Sequence, residues 1–395
     1  MQLRYSERDE KFRREFRAWL AEEVPRYGDP PPPGDWPARR DYDCGWQRRM
    51  YAAGFAGVGW PAEYGGRGAT LTEQLVYYEE ISRSGAPYIG ANFIGMMHAG
   101  PTLMEEGSEE QKAAHIPGIL RGEEVWCQGF SEPSAGSDLA SLRTRARRDG
   151  DDYVVDGHKI WTTRGQIADY CEMLVRTDPE APKHRGISWL IMPMDAEGIE
   201  IRPLKTLQGE GEFSEVFYND VRVPVANRVG EENDGWRVAN VTLRFERGTA
   251  FAQHIASLQS LIHTVVQVAR RVTRTDASAW GDRELRRETG RLQSELDALW
   301  ALVKLSVSEA ARSSVPPPAG SAIKLAYSEL YQRIGELGQR VLGRAGLAKT
   351  DVSDWPTQSM LWNALWSIQF TISGGTSQIQ RNIIAERVLG QPRDR

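Results

Sequence analysis

The hydrophobic repeat of this chain changes period twice, and that change limits the fold more than any single residue does. From Ser6 to about Gly122 apolar residues recur at three- and four-residue steps, as in Phe12, Phe16, Trp19, Leu20 and Val24, which predicts helices. From about Glu123 to Pro224 the period falls to two. Tyr153 to Gly157, Tyr170 to Arg176, Ile187 to Met192, Ile199 to Pro203 and Glu215 to Val223 read as short strands separated by Pro, Gly and Asp. From about Asn233 to Arg395 the helical repeat returns, beginning with the stripe Val238, Val241, Phe245, Gly248, Ala252, Ile255, Leu258, Ile262, Val265 and Ala269. Helices, strands and helices in that order predict an α+β protein. Its expected domains are an N-terminal α-helical domain over 1–122, a middle β-sandwich or barrel-like domain over 123–232 and a C-terminal helical bundle over 233–395.

Local signals punctuate these blocks. Pro25 and the run Pro30 to Pro33 are expected to stop the first helix, and the proline run to form a stiff connector. A helical pattern covers Leu71 to Ser84 and another Tyr88 to Glu106, while Ser108 and Gln111 have the spacing of a capping box. Asp149-Gly150-Asp151 reads as a turn between two strands. Asn233 or Asp234 is placed to cap the long helix that follows, and Pro316 to Pro318 break the bundle. Leu361, Leu365, Trp366 and Ile372 form a last apolar face. No GxGxxG follows a strand and opens a helix, so a Rossmann dinucleotide unit has no support.

Composition narrows the function. The 395 residues carry 49 Lys plus Arg against 54 Asp plus Glu, a net charge of −5, which argues against a nucleic-acid partner. Cys44, Cys127 and Cys171 are too few and too far apart for a disulfide framework or a zinc cluster. The six histidines show no ligand spacing, so no metal is expected. The N-terminus is charged where a signal peptide needs an apolar core, which predicts a cytoplasmic protein. Two stretches free of charge, Gly85 to Met104 and Trp355 to Gln380, are too interrupted or too short to span a membrane and read as buried helices.

Five motifs in order cover nearly the whole chain. They are Gly59-Trp60-Pro61-Ala62-Glu63-Tyr64-Gly65-Gly66-Arg67-Gly68, Phe130-Ser131-Glu132-Pro133-Ser134-Ala135-Gly136-Ser137-Asp138, Lys159-Ile160-Trp161-Thr162-Thr163, Asp220-Val221-Arg222-Val223-Pro224 and Gly375-Thr376-Ser377-Gln378-Ile379-Gln380-Arg381. Together they resemble the acyl-CoA dehydrogenases, flavoproteins that desaturate an acyl-CoA between its α and β carbons. The resemblance implies FAD, held without a phosphate loop by Phe130, Ser131, Ser137, Trp161, Thr163, Thr376 and Gln378. Ser131 and Thr163 match positions that contact the isoalloxazine, Trp161 one that packs on the ring, and Ser137 one that serves both the pyrophosphate and the CoA chain.

Removing the α-proton of a thioester needs a positioned carboxylate. Many members of the family carry it immediately before the Gly-Thr-Ser-Gln-Ile-Gln loop, but here Gly374 stands in that place and has no side chain. A subgroup that includes the isovaleryl- and long-chain-type enzymes places its glutamate further upstream. The matching residue is Glu246, with Arg247 at a position that faces the acyl-CoA chain. The resemblance makes Glu246 the base and leaves Gly374 its backbone N–H as a donor to the thioester carbonyl. Loss of a side chain at Gly374 enlarges the pocket floor, which points to a branched or bulky acyl group.

Two motifs that reach a neighbouring subunit's flavin in the family are altered. Arg270 to Asp276 has arginines but no Phe-Gly, and Arg340-Val341-Leu342-Gly343-Arg344-Ala345-Gly346 places Arg at the Gln position and at one glycine. This pattern resembles the catalytic subunits of actinobacterial α2β2 acyl-CoA dehydrogenases of steroid side-chain catabolism, in which a sibling supplies the missing contacts. A homotetramer whose arginines reach the pyrophosphate differently is the other reading. The expected partners are an acyl-CoA substrate and an electron-transfer flavoprotein. An acyl-CoA oxidase, a flavin N-hydroxylase and an inactive flavin-binding scaffold share the motifs and stay open at this stage.

Overall fold

The computed structural model describes residues 4–87, 90–209, 211–246, 250–274, 277–310, 319–352 and 356–392. Helices α1 (Glu7–Tyr27), α2 (Trp36–Ala52), α3 (Leu71–Ser84), α4 (Gly100–Glu106) and α5 (Glu109–Arg121) come first. Strands β1 (Trp126–Gly129), β2 (Arg145–Asp149), β3 (Asp152–Thr163), β4 (Tyr170–Arg176), β5 (Ile187–Pro193), β6 (Ile199–Leu204), β7 (Phe213–Pro224) and β8 (Arg228–Val229) follow. The chain then returns to helices α6 (Gly235–Glu246), α7 (Ala250–Arg271), α8 (Arg283–Ala310), α9 (Ala319–Leu342), α10 (Thr357–Trp366) and α11 (Ser377–Ile383). The architecture is α+β, helical at both ends around a middle sheet. By contacts the chain divides into two compact units: Glu22–Thr70 with Pro87–Glu246, and Met1–Ala21 with Leu71–Ala86 and Arg247–Arg395.

The first unit is organised by its sheet. Its strands join in the order β6-β7-β3-β2-β4-β5-β8, with β1 added in parallel to β4. The Asp149-Gly150-Asp151 turn links β2 to β3, with Gly150 in the left-handed region that such a hairpin turn demands (φ +65°). Tyr153, Val155, Cys171, Met173, Val175, Leu190, Met192, Val216 and Val221 pack into one apolar core. β4 and β5 are buried on both faces and show no alternation, whereas β7 alternates buried with more exposed residues and β6 is an exposed edge. Helix α6 seats against β5 through Gly235, whose missing Cβ would lie 2.4–2.6 Å from the Ser188–Trp189 backbone. Thr242 on α6 shares a buried hydrogen bond of 2.9 Å with Thr102 on α4.

In the second unit the N-terminal part of α1 is joined to α3 by Arg13, which donates to Glu79 and Glu80. Helix α3 packs on α7 and α8, these two pack with α9, and α10 and α11 lie against α9. Among the described residues no helix is long and apolar enough to cross a membrane and no cluster of metal-ligating side chains occurs.

Several local expectations are corrected. Helix α1 runs through Pro25 to Tyr27 and ends at Gly28 (φ +86°), because a proline in the last turn costs a single backbone bond. Residues 90–106 form a 3-10 turn, a π-helical turn at Gly95–Ala99 and then α4, instead of one helix. Asp234 immediately precedes α6 and its C=O accepts from the Val238 N–H at 3.4 Å, but its carboxylate pairs with the Arg237 side chain, and Asn233 Oδ1 accepts from Thr177 Oγ1. Ile372 is exposed, so the last apolar face is only part-covered within one chain. Residues 247–249 and 311–318, inside the expected long helix and around the expected proline break, lie outside the described residues. The capping box of α5 is as expected, with Ser108 Oγ and Gln111 Oε1 each accepting from the other residue's N–H.

Candidate active site

The expected flavin-binding residues fall in two groups, one in each unit. In the sheet unit, the loop Phe130–Asp138 runs beside β3. The Ile160 N–H donates to Ser131 O at 3.0 Å, which ties loop and strand together. A buried ion pair lies beneath them. Lys159 Nζ, 0% exposed, donates to Phe130 O at 3.0 Å and to Glu132 Oε1 at 2.9 Å. Glu132 also accepts the Arg143 and Thr144 N–H groups, at 2.7 and 2.8 Å, and closes the loop through paired backbone bonds with Ala135. Burial pushes the Glu132 carboxyl up, but Lys159 and Thr144 more than reverse this and hold it below its ordinary value. Desolvation lowers Lys159.

The next residues of β3 are aimed outward by an irregularity. The register with β7 shifts between Lys159 and Thr162, and Trp161 sits there at φ +62° with 58% of its surface exposed. A bulky residue in the left-handed region costs about 1–3 kcal/mol, and an exposed indole recovers none of it by burial. Ser131 and Thr163 are half-exposed hydroxyls, and Ser137 is exposed on the loop. Phe130 is buried, which leaves its main chain as the group it offers a ligand. An exposed aromatic face flanked by small hydroxyls on ordered backbone is a donor set that fits a planar, polar-edged ring such as flavin. Arg164, also left-handed, closes the strand by pairing with Glu212 at 3.0 Å and donating its N–H to Glu212 O at 2.7 Å.

In the helical unit, Gly374 and Gly375 turn the chain into α11 at φ +61° and +83°. Thr376 is the N-cap, its Oγ1 accepting from the Ile379 N–H at 3.1 Å, and Gln378 is exposed. Glu246 is the last residue of α6, one turn after Thr242; its side chain lies outside the described residues, as does Arg247. Of the altered neighbour-facing motif, Arg340 and Arg344 are exposed. A cleft of about 510 Å³ beside Arg340 is lined also by Gln332, Glu336, Gln339 and Ile368.

Lys159, Glu132 and Gln380 stand inside the sequence motifs with no role legible there, and Lys324 lies outside every motif. For Lys159 a signal existed: it stands two, four and six residues after Gly157, Val155 and Tyr153, on an inward register of β3.

Family models for the acyl-CoA dehydrogenase N-terminal, middle and C-terminal domains match residues 6–123, 127–221 and 233–389. The chain therefore belongs to the acyl-CoA dehydrogenase family, flavin-dependent oxidoreductases. It is 37% identical over 400 residues to acyl-CoA dehydrogenase IpdE1 of Mycobacterium tuberculosis, covering 98% of each chain. It is 36% identical to acyl-CoA dehydrogenase FadE26 of the same organism, covering 100% of this chain and 99% of that one. Among solved structures it resembles the ChsE4-ChsE5 complex from Mycobacterium tuberculosis, with a TM-score of 0.82 and 36% identity over 100% of both chains. It also resembles the Tcur3481-Tcur3483 steroid ACAD, with a TM-score of 0.84 and 34% identity over 100% of both chains.

Proposed function

We propose that this chain is the catalytic subunit of an FAD-dependent acyl-CoA dehydrogenase that desaturates a branched or bulky acyl-CoA thioester. The observation that carries the reading is the pairing of an absent and a present carboxylate. Gly374, at φ +61°, offers only backbone where many relatives of the family offer a base, and Glu246 ends a helix seated on β5 by Gly235 and bonded through Thr242. Glu246 takes the α-proton, and the Gly374 N–H donates to the thioester carbonyl as negative charge develops there. FAD, when bound, would supply the acceptor for the β-hydrogen and its electron pair, and an electron-transfer flavoprotein would take up the electrons. Phe130, Ser131, Ser137, Trp161, Thr163, Thr376 and Gln378 hold the FAD, and Ser137 and Arg247 contact the CoA chain.

The steroid assignment of the Tcur3481-Tcur3483 structure supports a bulky acyl group, and the ChsE4-ChsE5 complex supports a sibling subunit as partner. The division at 1–122, 123–232 and 233–395 belongs to the same proposal.

Steady-state turnover of Glu246→Gln tests it. The expected loss in kcat is about 10²–10⁴-fold with flavin content unchanged, and polycyclic or branched thioesters are expected to outrun butyryl-CoA in kcat/KM. An unchanged rate in the variant would make this chain a flavin-binding scaffold instead.

A further inference from the structure

Gly374 and Gly375 are consecutive left-handed glycines, the residues with most conformational freedom to lose. An amide carried on such a turn is not preorganised by its own local chain. Here the turn is pinned from both sides. Upstream, the Ile372 and Ser373 N–H groups each donate to Gln369 O at 2.8 Å. Downstream, Gln380 Nε2 donates to Gly374 O at 2.8 Å. Lys324 Nζ, reaching from α9, donates to Gly375 O at 2.7 Å and to Phe370 O at 2.6 Å. Lys324 and Gln380 are both buried, so their donor groups depend on these carbonyls for partners.

Peptide groups are rigid planes, so holding Gly374 O and Gly375 O orients the two planes that follow Gly374. Gln369 holds the chain just before it. None of these bonds uses the Gly374 N–H itself. A donor acts on developing charge without reorganising only if it is held before the reaction begins. We propose that Lys324, assisted by Gln380, is a positioning residue for desaturation: it holds the Gly374–Gly375 turn in the shape that presents the Gly374 N–H to the thioester carbonyl. The inference rests on the function proposed above. It assigns to α9, far away in sequence, the ordering of a turn whose own residues cannot order it.

The test uses the flavin-loaded enzyme, with whatever subunit it purifies with, and acetoacetyl-CoA as probe. The α-proton of this thioester is acidic enough to leave without hydride transfer, and its enolate is read by its ultraviolet band as pH is varied. Lys324→Met is expected to weaken enolate formation about 10- to 100-fold, less than the roughly 10²–10³ lost when such a donor is removed outright. Binding of a saturated acyl-CoA should hold, and kcat should fall with KM little changed. Ser328→Ala removes another buried bond to Phe370 O but touches neither glycine, and should match wild type. If Lys324→Met does not fold, Gln380→Glu carries the test, since a carboxylate cannot donate to Gly374 O.

A folded turn variant that forms the enolate like wild type overturns the proposal, and so does equal loss of saturated-thioester and enolate binding. A wild-type enzyme that forms no enolate, or a Glu246→Gln variant that forms it undiminished, overturns the desaturation reading before any turn variant is made.

Discussion

Lys159 brings a charge to the inward side of a strand whose other inward residues are apolar, and the fold meets it with a carboxylate and a carbonyl. Removing one partner of such a pair leaves the other charged and buried, which typically costs 3–5 kcal/mol. Lys159→Met should therefore lower stability by about 3 kcal/mol in denaturant unfolding and release flavin, because Glu132 then loses its hold on the loop beneath Ser131. The pH sign follows from the depressed Glu132 carboxyl. Its contribution is complete above the ordinary glutamate range and is lost as pH falls through its lower folded value. In Lys159→Met that acid-dependent part should shrink. Alternation placed Lys159 inward, but nothing local identifies its partner, which lies 27 residues away in sequence.

At the scale of elements, α1 is held to α3 by charge as well as by Phe16 against Tyr77. Arg13, 7% exposed, donates to Glu79 at 2.7 Å and to Glu80 at 2.8 Å, while the more exposed Arg17 takes both oxygens of Glu80. Burial pushes Glu80 up, but Arg17 and Arg13 outweigh it and hold the carboxyl below its ordinary value. The stabilisation is thus present above the unfolded glutamate pKa and disappears as pH falls through the folded one. Hydrogen exchange should show α1 opening before the sheet on acidification. Arg13→Met should cost about 3 kcal/mol and Arg17→Ala, at the surface, roughly 0.2–1 kcal/mol; equal effects would contradict this ranking. The helical period of α1 was readable, as were the capping box of α5 and most strand positions. The π-helical turn at Gly95–Ala99 and the bulge at Trp161 were not, because each depends on what the neighbouring element demands of the backbone.

For the whole molecule the open choice is between one kind of chain and two. On the proposed reading the contacts to this chain's own flavin are kept, while Arg340 and Arg344 stand where the resemblance implies residues offered to a neighbour. Between them the backbone still turns through Gly343, which is left-handed (φ +59°). If a sibling chain completes the site, the protein produced alone should purify with far less than one FAD per chain by absorbance, and co-production with the sibling should restore it. Near-stoichiometric FAD in the lone chain would establish instead that the arginines serve the pyrophosphate.

Hydrophobic period and ordered motifs determined the α+β class, the sequence of helices, strands and helices, and the family. Those properties depend on short-range chemistry: which side chains repeat, and which residues tolerate a turn. The pairing of Lys159 with Glu132, the outward aim of Trp161 and the clamp of Lys324 on the Gly375 carbonyl were decided by tertiary structure alone. Each brings together groups distant in sequence, and burial gives each its force, since a charge or a carbonyl removed from water must find its partner wherever the fold has placed one.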